Sequence, residues 1–163
     1  MGAGKSTIGR ALAELMGMGF EDLDQHIEKQ TGANIPLIFE IEGEDGFRRR
    51  EAAMLDSLTS GNGAVLATGG GAILMPENRE RLRQRGIVVY LQAPIDVLLA
   101  RTRRDRNRPL LQTSDRRKRF EELMRVREPL YRSSADIVVD TDDRAPPTVA
   151  REIAERVANY RRP

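Results

Sequence analysis

Gly2-Ala3-Gly4-Lys5-Ser6-Thr7 opens the chain with residue types that can grip a phosphate. Glycines let backbone N–H groups curl around phosphate oxygens. A helix starting at Lys5 would point its positive end at the same anion. Lys5 can reach the β- and γ-phosphates of ATP, and the Ser6 hydroxyl can ligate Mg2+. The bland alternative is a glycine-rich tail before an ordinary helix. Gly-x-Gly-Lys-Ser-Thr running into a helix of an α/β chain favours the phosphate loop. Only the second half of the loop pattern is present, because its first glycine would fall two residues before Met1. The strand that feeds such a loop, about five or six residues long, is expected to be missing from the middle of the sheet. The chain as it stands is therefore expected to bind ATP less well, and to be less stable, than a form carrying that strand.

Four further groups could complete a reaction site. Asp22 and Asp24 follow a short apolar stretch at Phe20. Alternate residues leaving a strand can put two carboxylates at its C-terminal end, where open α/β sheets bind ligands. One could orient metal-bound water and the other accept a hydroxyl proton, or Asp24 could simply cap the next helix. Arg48 and Glu51 share a helix face at i,i+3, so Glu51 could hold the guanidinium, or the two could form a surface ion pair. Gly69-Gly70-Gly71 follows Thr68 at a strand end, where glycines admit a ligand close to the backbone or make a flexible turn. Arg106 and Arg108-Pro109-Leu110-Leu111, followed by Arg127-Glu128-Pro129-Leu130-Tyr131, could fold cations over a triphosphate or lie in solvent.

Elements that position these groups can be read from the alternation of short apolar runs with amphipathic segments, which implies α/β with a parallel sheet. Helices are expected from Lys5 to about Met16, from Asp24 to Thr31, from Asn34 through Phe39, and from Glu44 to about Ser60. Others are expected over Pro76–Arg85, after Pro94, from Asp115 to about Leu130, and from Pro147 to about Asn159. Four strands are expected, around Phe20 and over Ala64–Ala67, Ile87–Leu91 and Ile137–Val139. The charged stretch between Arg103 and Arg117 reads as a lid-like loop.

Composition narrows the class. The chain has 163 residues, 39% hydrophobic and 32% charged, which suits one globular domain. It has no cysteine and a single histidine, His26, which excludes thiol catalysis and Cys-ligated zinc. No apolar run reaches membrane-spanning length and no secretory signal pattern opens the chain; these absences favour the cytoplasm. Only Lys5, Lys29 and Lys118 are lysines, so the basic side is almost all arginine, suited to carboxylates and phosphates. With 4% aromatics and no basic-aromatic interleaving, no nucleic-acid surface is expected.

Taken in order, Gly-Ala-Gly-Lys-Ser-Thr, Asp-x-Asp, Gly-Glu-x-x-Phe-Arg, Gly-Gly-Gly, Arg-Pro-Leu-Leu and Arg-x-Pro-Leu-Tyr resemble shikimate kinase across essentially the whole chain. The resemblance implies a three-layer α/β/α P-loop kinase of the nucleoside-monophosphate-kinase type. The activity implied is transfer of the ATP γ-phosphoryl group to the 3-hydroxyl of shikimate. It further implies one domain over 1–163, with a lid at about 103–117 and a substrate-binding helical segment at about 24–60. The expected partners are ATP, shikimate and Mg2+, and the expected state is a cytoplasmic monomer. By the same resemblance Gly2, Ala3, Gly4, Lys5, Ser6 and Thr7 hold ATP, and Ser6 and Asp22 serve the metal. Asp24 binds shikimate hydroxyls and is the candidate base. Arg48 and Arg127 clamp the carboxylate, with Gly69, Gly70 and Gly71 against the substrate. Lys5 and Arg108 act on the phosphates, while Arg101, Arg144 and Pro146 lie where the family handles adenine. Two other readings fit the same residues: a P-loop kinase for another small hydroxy acid such as gluconate, or a non-catalytic nucleotide-binding domain.

Overall fold

The computed structural model describes residues 2–61, 63–103 and 109–161. In chain order the elements are α1 (Lys5–Met16), β1 (Gly19–Asp22), α2 (Leu23–Thr31), α3 (Ile35–Thr59), β2 (Ala64–Ala67) and α4 (Pro76–Arg85). β3 (Val89–Gln92), α5 (Ile95–Thr102), α6 (Arg116–Ser134), β4 (Ile137–Asp140) and α7 (Pro146–Ala158) follow. Short 3-10 turns at Ala72–Leu74 and Pro109–Leu111 complete them.

Local chemistry explains most boundaries. Gly17 ends α1 and Gly32 ends α2, both in the left-handed conformation that glycine adopts at low cost. The Asn34 side chain accepts from the Leu37 N–H and starts α3, with Pro36 in its first turn. The two helices expected across 34–60 follow one another directly within α3 and are separated by a kink at Gly43, whose φ of 70° breaks the helical geometry. The helix α6 continues through Pro129 to Ser134, four residues beyond the end expected from sequence. The proline lacks one backbone donor, yet the following turn is kept, with the Ala135 N–H donating to the Tyr131 carbonyl at 3.0 Å.

Among the described residues the four strands form two parallel pairs. β1 pairs with β2, from Gly19 opposite Ala64 to Asp22 opposite Ala67. β3 pairs with β4, from Val89 opposite Ile137 to Gln92 opposite Asp140. β2 and β3 are not hydrogen-bonded to each other. A cavity of about 380 Å3 lies between them, lined by Val65, Leu66, Val89 and Leu91, with Ile8, Leu12 and Ile153 from the helices. Along β2, Ala64 is exposed and only Ala67 is buried.

Three apolar clusters hold the frame. Ile8 and Leu12 of α1 pack with Ile137 and Val139 of β4 and with Val149 and Ile153 of α7. Leu23 and Ile27 of α2 pack with Ile38, Phe47 and Leu55 of α3. Leu98 of α5 packs with Phe120 of α6, Leu111 and Ala3. The third cluster ties the opening loop to the α5–α6 side, because Ala3 is itself core. Among the described residues, no helix is long and apolar enough to cross a membrane.

Candidate active site

The opening loop has the backbone of an anion cradle. Gly2 and Gly4 have φ of 71° and 86°. Side chains at those positions would be strained, and one on Gly2 would also meet Thr102 at 2.8 Å. Gly4 caps α1, no side chain caps its first turn, and that turn contains no acidic residue. The first-turn N–H groups and Lys5 therefore present positive charge at the C-terminal side of the strands.

Ser6 and Asp22 meet at this end. The Ser6 hydroxyl donates to Asp22 Oδ2 at 2.7 Å, linking α1 to the end of β1. The other oxygen, Asp22 Oδ1, accepts from the backbone N–H groups of Asp24 and Gln25 at 3.1 and 3.4 Å. Asp22, not Asp24, is thus the cap of α2. That removes the structural alternative for Asp24, which sits in the first turn of α2. The adjoining hydroxyl and carboxylate are hard oxygen donors, the set that suits a divalent cation bound beside phosphates.

Asp24 reaches the glycine turn. A Cβ built on Gly69 would lie 2.6 Å from Glu51 Oε1 and 3.1 Å from Asp24 Oδ1. One built on Gly71 would lie 2.2 Å from the Arg48 guanidinium carbon. Glycine here is a packing requirement, because three charged side chains occupy the space a side chain would need.

Arg48 donates to Glu51 Oε2 at 2.6 Å and to Glu44 Oε1 at 3.0 Å. Glu51 is fully buried, and its Oε1 has no hydrogen-bond partner among the described residues. Burial raises the Glu51 carboxyl above its ordinary value of 4.5, and the Arg48 guanidinium only partly offsets it. Burial works against the Arg48 charge, but Glu51 and then Glu44 outweigh it and hold Arg48 above its ordinary value. The sequence pattern holds a signal for this burial. Phe47, Glu51 and Leu55 lie at i, i+4 and i+8, so Glu51 falls in the apolar stripe of α3.

Arg127 is only 3% exposed. Among the described residues no carboxylate lies within ion-pair distance of it. Burial lowers its pKa and the neighbouring Arg48 charge adds to that, while Tyr131 and Glu44 oppose the shift. Two guanidinium groups from α3 and α6 therefore share one buried region beside the glycine turn. One turn after Arg127, the Tyr131 hydroxyl donates to the Gly70 carbonyl at 2.5 Å. Tyr131 was part of a motif in the sequence without a role of its own.

The remaining sequence candidates gather at the end of β4. Arg101 donates to the Thr141 carbonyl at 2.8 Å and to its hydroxyl at 3.2 Å. Arg144 donates to the Asp140 carbonyl at 3.0 Å and pairs with Glu152 at 2.7 Å. Pro146 opens α7. Thr7 follows Ser6 in the first turn of α1. Arg108, and with it Arg106, lies outside the described residues.

Comparison with known proteins decides the family. The family model described as shikimate kinase matches residues 1–158. The chain is 58% identical to a shikimate kinase of Thioalkalivibrio sulfidiphilus, over 99% of this chain and 83% of that one. The chain belongs to the shikimate kinase family. It is also 56% identical to a shikimate kinase of Pseudomonas syringae pv. tomato, over 97% of this chain and 92% of that one. Among solved structures, the shikimate kinase from Acinetobacter baumannii in complex with shikimate is similar at a TM-score of 0.96 and 52% identity. That match covers 98% of this chain and 89% of the other. The fold is accordingly the α/β P-loop kinase type, and the activity is the family's, ATP-dependent phosphorylation of a shikimate hydroxyl. Kinases of this kind generally use a divalent metal.

Proposed function

We propose that the 3-hydroxyl of shikimate attacks the γ-phosphorus of ATP while Asp24 takes the hydroxyl proton, giving shikimate 3-phosphate and ADP. The O–H bond breaks as the new O–P bond forms, and the electrons of the old O–P bond leave with ADP. Arg48 and Arg127 clamp the substrate carboxylate, and the Gly69–Gly71 backbone lines the ring. Gly2–Thr7 hold the phosphates, with Lys5 offsetting charge on the transferred group. Arg108 has the same task on sequence grounds alone. Arg101, Arg144 and Pro146 flank the adenine.

Ser6 and Asp22 would hold Mg2+, Asp22 through water. The ion supplies charge neutralisation on the phosphate oxygens. Residues at about 24–60 would form the substrate-binding segment and those at about 103–117, of which 104–108 lie outside the described residues, the lid of a single domain. The chain acts as a monomer in the cytoplasm, with ATP and shikimate as its partners and no nucleic acid or membrane.

The observation that carries this reading is Arg127, a buried guanidinium without a carboxylate among the described residues, lying beside Arg48. A buried charge is costly unless paired, so a site of this kind favours an anionic ligand. Titration calorimetry of shikimate on Arg48→Ala tests it. A weakening of about tenfold or more is expected for a lost charge-assisted contact; an unchanged affinity would remove the carboxylate clamp from the mechanism.

A further inference from the structure

Tyr131 connects two parts of the site that the mechanism uses separately. It lies four residues after Arg127 on α6, so the two side chains share a helix face. Its hydroxyl donates to the Gly70 carbonyl, a contact 61 residues apart in sequence. The Arg127 guanidinium is a near enough neighbour to favour charge on the Tyr131 phenol. The next peptide, at Gly71, packs directly on Arg48. A chain of contacts therefore runs from Arg127 through Tyr131 and the glycine turn to Arg48.

The Tyr131 ring is held independently of its hydroxyl. It stacks on Tyr90 of β3, with centroids 5.0 Å apart and planes inclined at 23°. Burial raises the Tyr131 phenol, and Arg127 only partly offsets this, so the group stays a neutral donor. Tyr90 is pushed up to about 12, chiefly by burial, and is likewise neutral.

We infer that Tyr131 is a positioning residue whose hydroxyl fixes Arg127 and the Gly70 peptide relative to each other, so that Arg127 and Arg48 converge on one carboxylate. This rests on the clamp reading above. The hydroxyl at the ring tip can serve two partners at once, its hydrogen donated to the Gly70 carbonyl and its oxygen accepting from Arg127. Phenylalanine would keep the ring stack and lose both.

The test is steady-state kinetics on Tyr131→Phe, Arg127→Met and their combination, with Tyr90→Phe as the control for the stack. Tyr131→Phe is expected to raise KM for shikimate about fivefold to tenfold, with KM for ATP unchanged, kcat within about twofold and thermal stability retained. In the Arg127→Met background the second substitution is expected to add less than twofold, because its effect passes through Arg127. Tyr90→Phe should leave KM for shikimate unchanged. An unchanged KM for shikimate in Tyr131→Phe overturns the inference while a raised one in Arg127→Met leaves the clamp standing. If Arg127→Met itself leaves KM unchanged, the clamp falls and takes the inference with it. A rise in both KM values with a lowered melting temperature, or an equal effect of Tyr90→Phe, would mark Tyr131 as structural only.

Discussion

At the proposed phosphate end, Gly2 to Thr7 are contiguous and present mainly backbone shape, with left-handed φ at Gly2 and Gly4. At the proposed carboxylate end, Arg48, Glu51, Gly70, Arg127 and Tyr131 come from α3, the glycine turn and α6, and present mainly side chains. The first end tolerates solvent, because its ligand brings a large charge and meets N–H groups that helix geometry directs. The second is buried, so each charge must be matched inside the protein or by the ligand. On the proposed reading the difference is a division of labour: local backbone conformation would recognise what many kinases share, and long-range side-chain packing would recognise the particular acid.

Substitutions can break this contrast in a definite order of size. Lys5→Ala is expected to lower kcat by about 10²–10³-fold, the cost of removing one preorganised group from the transition state. A coupled ATPase–shikimate assay reads this, with KM for shikimate nearly unchanged. A loss that appeared only in shikimate affinity would contradict the separation of the two ends.

Arg127→Met should act oppositely in stability and function. Shikimate affinity is expected to fall by about 2–5 kcal/mol, the range for truncating a desolvated charge contact. The free protein should become more stable, because a buried cation without a carboxylate partner among the described residues is replaced by an apolar chain. A gain of about 1 kcal/mol corresponds to a rise of roughly 2–4 °C in melting temperature. A lower melting temperature would show that Arg127 is paid for within the free fold.

Gly71→Ala sharpens the point at the glycine turn. The new methyl would fall 2.2 Å from the Arg48 guanidinium carbon, so the guanidinium must move. That group is the flexible end of a side chain, so folding should survive. KM for shikimate is expected to rise about tenfold, the value of one charge-assisted contact. Unchanged kinetics would mean that Arg48 need not be held where it is.

The smallest effect is expected from Glu51→Gln. Glu51 has its pKa raised above 4.5 by burial, so the folded state binds its proton more tightly than the unfolded state. Its contribution to stability is therefore most favourable below about 4.5, declines as pH rises through the raised value, and is constant above it. Glutamine does not titrate. Denaturant unfolding between acid and neutral pH should show the stability of the parent protein falling relative to Glu51→Gln as pH rises. A difference that stayed flat would place the Glu51 carboxyl at its ordinary value.

Much of this was legible in order along the chain. Capping signals at Gly17, Gly32 and Asn34 set helix ends within a residue or two, because caps are local chemistry. Ser6, Asp22, Asp24, Arg48 and Arg127 stand out as candidates from motifs, since a motif records residue type and spacing. The continuation of α6 through Pro129 was not legible, because a lost backbone donor is outweighed by packing that the local sequence does not contain. That Asp22, rather than Asp24, caps α2 was not legible for a similar reason. Both residues suit the position, and the contact of Ser6 with Asp22 joins two elements.

The sequence by itself determined the alternation of elements, the phosphate loop and the types of group at the site, since these depend on periodicity, glycine φ and side-chain chemistry. Tertiary structure alone decided the pairing of strands two and two around a slot, because pairing is a choice among distant edges. It also decided that Glu51 is buried with one unpartnered oxygen, that Arg127 lacks a carboxylate partner among the described residues, and that Tyr131 reaches Gly70. Pairing is a property of neighbours brought together from far along the chain, so a local pattern can hint at burial, as the stripe through Glu51 does, but cannot name the partners.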